Sequence, residues 1–212
     1  MKNVDTDLSQ KYRPQTIQEA ILPAHLKSKL VNIVHSGGGM SLLFHGGPGC
    51  GKTTVAKLIN PENTLLINCT ADNSIDMVRN LRYTCSALTV EGDRRLVLLD
   101  EADYLTRDAQ AALRGVVEEL SKANDFVMTA NEPEKLSEAI KSRFLPVHFD
   151  FLSTESIKNE MAKRLMHIAN KEEYAELKIV YVNSLIDQNF PDMRRMIKQL
   201  QFELKSNTAV CH

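Results

Sequence analysis

Apolar residues along this chain come in two rhythms, and the change from one to the other divides it. In the first part short apolar runs recur: Leu42 to Phe44, Leu65 to Asn68, Leu96 to Asp100, Phe126 to Asn131 and Val147 to Phe149. Such near-continuous runs are what strands buried on both faces of a parallel sheet require. Between most of them the spacing becomes helical. One helix is expected from Lys52 and stops by Pro61, which cannot continue it. A second, over about 74–87, sets Ile75, Val78, Leu81 and Cys85 on one side. A third runs from an N-cap at Thr106 to Leu120 and turns Ala109, Ala112, Leu113, Val116 and Leu120 inward. Strands alternating with helices predict an α/β fold: a five-stranded parallel sheet with helices on both faces.

After Phe151 the apolar runs cease. Ser153-Thr154-Glu155-Ser156 is a helix-start signal, and helical spacing continues over about 154–169, 173–187 and 192–205. So short a segment makes a small core by itself and should lean on the α/β domain. The predicted organisation is a phosphate-loop ATPase domain over 1–152, a small all-α lid domain over 153–205 and a frayed tail over 206–212.

Composition narrows the setting. The 212 residues carry a formal net charge of −1, so nothing draws nucleic acid to the chain as a whole. Any DNA contact must come from a local patch or from a ring of several copies. No apolar run is long enough to cross a membrane, and Met1-Lys2-Asn3-Val4-Asp5 lacks a signal-peptide core. Cys50, Cys69, Cys85 and Cys211 lie too far apart to read as a metal or disulfide framework. A cytoplasmic protein with no membrane partner is expected.

The chemistry concentrates after the first strand. Gly46-Gly47-Pro48-Gly49-Cys50-Gly51-Lys52-Thr53 has the spacing G-x-x-x-x-G-K-[ST], with an apolar run before it and a helix start within it. Glycines let successive backbone N–H groups turn inward around a phosphate, and the helix adds its positive end. Gly47 through Thr54 are therefore expected to bind ATP, with Lys52 on the β- and γ-phosphates and the Thr53 hydroxyl on Mg²⁺. The run Arg95-Leu96-Val97-Leu98-Leu99-Asp100-Glu101 ends a strand in two adjacent carboxylates. Strand neighbours point to opposite sides, so the two take different work. Asp100 is expected to complete the Mg²⁺ shell and Glu101 to orient and deprotonate a water. Asn131 ends a further strand, where an amide could hydrogen-bond both that water and the γ-phosphate.

Further short runs carry a resemblance. Gln10-Lys11-Tyr12-Arg13-Pro14, Asn68 with Ile75-Asp76-Met77-Val78-Arg79, the D-E-A-D at 100–103, Ala111-Ala112-Leu113-Arg114, Thr129-Ala130-Asn131, Lys141-Ser142-Arg143 and Asp192-Met193-Arg194-Arg195 follow one another in order. Together they resemble the AAA+ ATPase subunits of sliding-clamp loaders over roughly residues 8–204. Gln10 to Pro14 followed by Ile21-Leu22-Pro23-Ala24, together with Phe190-Pro191-Asp192, resembles the large-subunit branch of T-even-type bacteriophages. The resemblance implies a subunit of an ATP-driven spiral that opens a ring-shaped clamp and closes it on primer–template DNA in the host cytoplasm. Its partners would be other clamp-loader subunits, the sliding clamp and that DNA.

The resemblance also assigns roles. Asn131 becomes the first nucleotide sensor, and Arg194 the second, on the γ-phosphate of its own subunit's ATP. Lys11, Tyr12 and Ile21 hold the adenine. Arg143 becomes an arginine finger acting in trans on a neighbour's ATP, where such a group is worth on the order of 10³ to 10⁵ in rate, or roughly 4 to 7 kcal/mol. Hydrolysis should therefore depend on assembly. Arg107 at a helix start, with Arg79 and Arg82, supplies the DNA candidates, since arginines and helix N-termini track phosphates without reading bases. Arg114 is expected to link that surface to Glu101. Clamp loaders continue into a helical collar that begins where this sequence stops, which implies a truncated, split or fragmentary form needing collar-bearing partners. Two other readings compete: a non-catalytic ATP-binding assembly subunit or remnant, and a DEAD-type helicase, which would need a second recombinase-like domain.

Overall fold

The structure, a computed structural model, describes residues 7–35, 39–87, 94–149, 154–172 and 177–208. Its contacts gather the chain into two compact units, one of His25–Gly46 with Lys52–Phe149 and one of Met1–Ala24, Gly47–Gly51 and Asp150–His212.

The first unit is built on strands β1 (Ser41–His45), β2 (Thr64–Asn68), β3 (Arg95–Asp100), β4 (Asn124–Ala130) and β5 (Leu145–His148). They form one parallel five-stranded sheet in the order β2-β3-β4-β1-β5. The inner strands read as expected, apolar on both faces. The outer two do not, because an open sheet has two edges. Leu66 of β2 is 44% exposed and Leu145 of β5 is 63% exposed, so these runs are edge strands rather than buried ones. Pro146 is tolerated in β5 because that strand pairs only with β1 and one side of it needs no donor.

Strand alternation gives the sheet two different faces. Leu43, Val97, Leu99, Phe126 and Met128 point into a core shared with α4 (Ile75–Ala87), α5 (Arg107–Leu120) and Ile140 of α6 (Glu138–Lys141). Leu42, Phe44, Leu96, Leu98 and Val127 are buried on the opposite face. There, Ile33 and Val34 of α2 (Ala24–His35) border a cavity of about 430 Å³ with Leu42, Leu96 and Val127. Thr106 caps α5 as its sequence predicts, its hydroxyl accepting from the N–H of Ala109 at 3.2 Å. Helix α3 (Lys52–Lys57) ends before Pro61 is reached. The N–H groups of Leu58 and Ile59 donate to Val55 and Ala56 at 3.1 and 3.2 Å, tightening the chain out of the α-helix.

At the start of β3, Arg94 ties down the C-terminal end of α5. Its guanidinium donates to the carbonyls of Ser121, Lys122 and Asn124 at 2.9, 2.7 and 2.9 Å and pairs with Asp125 at 3.0 Å. Cations favour the carbonyl end of a helix, and the planar fork serves several oxygens at once.

The second unit contains α7 (Glu155–Lys171), α8 (Ile179–Asn189) and α9 (Met193–Thr208), with α1 (Leu8–Lys11) from the start of the chain. Residues 1–24 were expected with the sheet, but Leu8 lies in the core of these helices with Leu165, Ile186 and Leu200, and Tyr12 and Ile21 pack against it. The N–H of Leu8 donates to Gln201 at 3.1 Å. Thr154 caps α7 through the N–H of Ile157 at 3.4 Å. Buried Asn189 joins α8 to α9, donating to Leu185 and Gln199 at 2.8 Å each. Helix α9 runs on to Thr208, so the backbone of 206–208 is helical where a frayed tail was expected; 209–212 lie outside the described residues. Of the helix expected over 173–187, the described part begins at Ile179.

Candidate nucleotide-binding site

In the sheet unit the carboxyl ends of β1, β3 and β4 bring together most of the residues expected to act. Lys52 opens α3 and is 7% exposed, a burial that an ammonium tolerates only with partners. Its Nζ donates to the carbonyl of Gly46 at 2.7 Å and to Oδ1 of Asn131 at 2.8 Å. The Thr53 hydroxyl donates to Oδ1 of Asp100 at 2.7 Å, and the Thr129 hydroxyl donates to the same oxygen at 2.7 Å. Lys52, Thr53, Asp100 and Asn131, expected to share a site, are thus linked in pairs, across 79 residues of sequence in one case and 47 in the other.

Asp100 and Glu101 diverge for a backbone reason beyond strand alternation. Glu101 has φ 56 and ψ 48, the left-handed region that a residue with a side chain enters only under constraint. The constraint is Thr129, whose Oγ1 accepts the N–H of Glu101 at 2.9 Å while its own hydrogen goes to Asp100. Among the described residues the Glu101 carboxylate has no hydrogen-bond partner, whereas that of Asp100 is already engaged.

Asp103, 6% exposed, fixes the neighbouring turn. Its Oδ2 accepts the N–H groups of Asn131 and Glu132 at 3.2 and 3.1 Å, while its buried Oδ1 has no partner among the described residues. Thr129 and Asp103 lie inside runs whose sequence was already suspicious, yet neither has an assigned role there. Their part is to hold backbone N–H groups, and no spacing rule encodes that. Cys69 follows β2, with its N–H on the carbonyl of Asp100 at 2.9 Å. Burial, then the charges of Asp100, Asp103 and Glu101, push its thiol up to about 12.

Thr53 Oγ1 and Asp100 are oxygen donors with a single carboxylate between them. That set fits Mg²⁺, which keeps several waters and completes its shell from substrate phosphates.

The loop Gly47–Gly51 belongs to the second unit. Gly49 and Gly51 have φ of 72 and 96, conformations open to glycine but strained for other residues. The Cys50 thiol donates to the carbonyl of Gly47 at 2.9 Å. A Cβ on Gly49 would lie 1.8 Å from Oδ1 of Asp192, the residue preceding α9, whereas one on Gly51 would meet nothing within 4 Å among the described residues. Lys11 and Tyr12, expected at the adenine, both bond Glu172, at 2.6 and 2.5 Å. Burial and the Glu172 carboxylate push the Tyr12 hydroxyl up to about 12. Glu172 carries no sequence signal at all. Arg194 is exposed on the first turn of α9.

Elsewhere on the sheet unit, Arg143 bonds Glu118 of its own chain. Arg79 pairs with Asp76 at 2.7 Å and Arg82 with Glu119 at 2.9 Å, whereas Arg107 is exposed on the first turn of α5 with no hydrogen bond or ion pair among the described residues. Arg114 is exposed too, and the expected link to Glu101 is not formed.

Similarity to known proteins divides the chain near residue 150. Residues 42–150 match the ATPase family associated with various cellular activities (AAA). Residues 153–208 match the AAA+ ATPase lid domain of the sliding-clamp-loader large subunit. The sliding-clamp-loader large subunit of Escherichia phage RB69 is 36% identical over 205 residues, covering 91% of this chain and 63% of that protein. Replication factor C small subunit 1 of Pyrobaculum islandicum is 33% identical over 211 residues, covering 95% of this chain and 63% of that protein. The chain thus spans just under two thirds of the length of these relatives. Among solved structures, the RuvB Holliday junction branch migration motor of Thermotoga maritima superposes with a TM-score of 0.74 at 20% identity, over 94% of this chain and 67% of that one, a likeness of fold. No helix among the described residues is long and apolar enough to cross a membrane. The chain belongs to the AAA ATPase family, and carries behind its ATPase domain a lid of the sliding-clamp-loader large-subunit type.

Proposed function

We propose that this chain is the ATP-hydrolysing part of a sliding-clamp-loader subunit, which turns over ATP to open a clamp and place it on primer–template DNA in the cytoplasm of a bacterial host cell. The observation that carries the reading is the linked set Lys52–Asn131 and Thr53–Asp100 beside an unengaged Glu101 carboxylate, in a chain whose relatives include a sliding-clamp-loader large subunit.

Phosphoryl transfer asks little covalent chemistry of a protein and much positioning. Gly47–Gly51 wraps the phosphates with backbone N–H groups. Lys52, already desolvated and oriented by Gly46 and Asn131, exchanges one of these oxygens for a phosphate oxygen at small reorganisation cost. Thr53 and Asp100 would hold Mg²⁺, which when bound neutralises charge on the β- and γ-phosphate oxygens. Glu101, aimed away from Asp100 by its left-handed backbone, orients the attacking water and takes its proton. Asn131 reports on the γ-phosphate through its amide, with its backbone held by Asp103. Lys11, Tyr12 and Ile21 flank the adenine, and Arg194 reaches the γ-phosphate of its own chain. Arg143 serves the ATP of a neighbouring subunit, so hydrolysis requires assembly. Arg107, the DNA candidate without a partner among the described residues, is the first choice for a phosphate contact, ahead of Arg79 and Arg82.

The experiment is ATP hydrolysis by the chain alone and joined to clamp-loader partner subunits, with and without sliding clamp and primed DNA. Stimulation on assembly, abolished by Arg143→Ala in this chain, supports the reading. Equal turnover by a dilute monomer with or without Arg143 overturns it.

A further inference from the structure

Arg143 follows α6, and its guanidinium is unusually well committed to its own chain. Nε donates to Glu118 at 2.7 Å and Nη2 donates to the same carboxylate, from α5. Nη1 donates to the Ala139 carbonyl at 2.8 Å and to the Ser142 hydroxyl at 2.9 Å. An arginine carries five N–H donors. Four are used here, and the one left over is on Nη2. The side chain of Glu118 is 52% exposed and that of Arg143 is 27% exposed. A pair this open to water contributes little to folding stability. What it does is select one rotamer of a long, flexible side chain and leave one N–H with no acceptor among the described residues.

We propose that Glu118 is a positioning residue for ATP hydrolysis: it holds the Arg143 guanidinium in register for the nucleotide of the adjoining subunit. The inference rests on the reading of Arg143 as a finger acting in trans. An unrestrained arginine loses its rotamer freedom when it docks on a phosphate; one already fixed by Glu118, Ala139 and Ser142 has lost it beforehand. Side-chain entropy of this size corresponds to a rate effect of up to about thirtyfold. The effect falls on the neighbour's kcat. It leaves the neighbour's KM for ATP alone, because binding of ATP is the work of the neighbour's own loop.

The test uses two full chains in one mixture, assembled with clamp-loader partner subunits, clamp and primed DNA. The acceptor carries Arg143→Ala and so lacks a finger but keeps Glu101. The donor carries Glu101→Gln and so has a finger but cannot hydrolyse. ATP hydrolysis is followed as donor is added to acceptor. Adding Glu118→Ala to the donor should lower the kcat of the mixture about five- to thirtyfold with KM unchanged. Glu118→Gln, which keeps an acceptor oxygen and the fold, should recover much of that loss. In a donor that already lacks Arg143, Glu118→Ala should change nothing. Undiminished or increased kcat with both Glu118 donors overturns the proposal, as does a loss that appears in KM. If the donor with Arg143 rescues no better than one without it, the trans-finger reading falls instead, and this inference with it.

Discussion

Replacing Gly49 by alanine puts two strains on one residue, and the structure separates them. An L side chain at φ 72 sits in the left-handed region, at roughly 1–2 kcal/mol. The added Cβ would also stand 1.8 Å from Oδ1, 2.2 Å from Cγ and 2.8 Å from Oδ2 of Asp192. The carboxylate has to leave. In leaving, it gives up the bond at 2.9 Å that it accepts from the N–H of Arg195, the N-cap of α9. Loss of such a cap is worth about 0.5–2 kcal/mol. Gly49→Ala should therefore destabilise the chain by roughly 1.5–4 kcal/mol. Asp192→Ala alone should remove only the cap. In the double variant the cap is lost once rather than twice, so the two changes should fall short of additivity by about 0.5–2 kcal/mol. Gly51, where an added Cβ would meet nothing within 4 Å among the described residues, is the control: Gly51→Ala and Asp192→Ala should add. Urea unfolding followed by circular dichroism, with unchanged m-values, reads all of these. Additivity of Gly49→Ala with Asp192→Ala to within about 0.3–0.5 kcal/mol would refute the reasoning.

Further outcomes come from two other residues, Arg94 and Cys69. Arg94→Met should lower stability by about 2–3 kcal/mol in urea unfolding, because three carbonyls and Asp125 lose a charged donor; Arg94→Lys should restore only part, since an ammonium cannot span the fork, and full restoration would contradict the argument. Cys69, with its thiol pushed up to about 12 from 9.0, should react with iodoacetamide at pH 8 about a thousandfold more slowly in the native chain than in urea. The raised value makes its contribution to stability fully present below pH 9 and lost as pH climbs toward 12, so Cys69→Ala should flatten the fall of stability over that window; an unchanged slope would count against the buried site beside carboxylates described for it.

The sequence was most legible where periodicity meets burial. All five apolar runs are strands, because a strand between two helical layers has no polar face to disguise it. The same rule misjudged β2 and β5, since nothing in a short apolar run says whether it has one neighbour or two. The pairing of Thr53 with Asp100 was readable, for each sits at a fixed place relative to a strand end. Glu172 was not: its links to Lys11 and Tyr12 span 161 and 160 residues and depend on how the N-terminal segment packs on α7 and α9. Glu118 was hidden for a different reason. Alone on the outer face of α5 it looks like any solvated carboxylate, and only the fold brings Arg143 to it.

The central claim is that Glu101 activates the water while the loop Gly47–Gly51 and Lys52 bind and orient ATP. The direct measurement is a single turnover of labelled ATP in the assembled complex carrying Glu101→Gln, an exchange that keeps shape and removes the base. The account predicts ATP affinity within about twofold of wild type and hydrolysis slowed by roughly 10² to 10⁴, leaving ATP trapped intact. Turnover at the wild-type rate would contradict it.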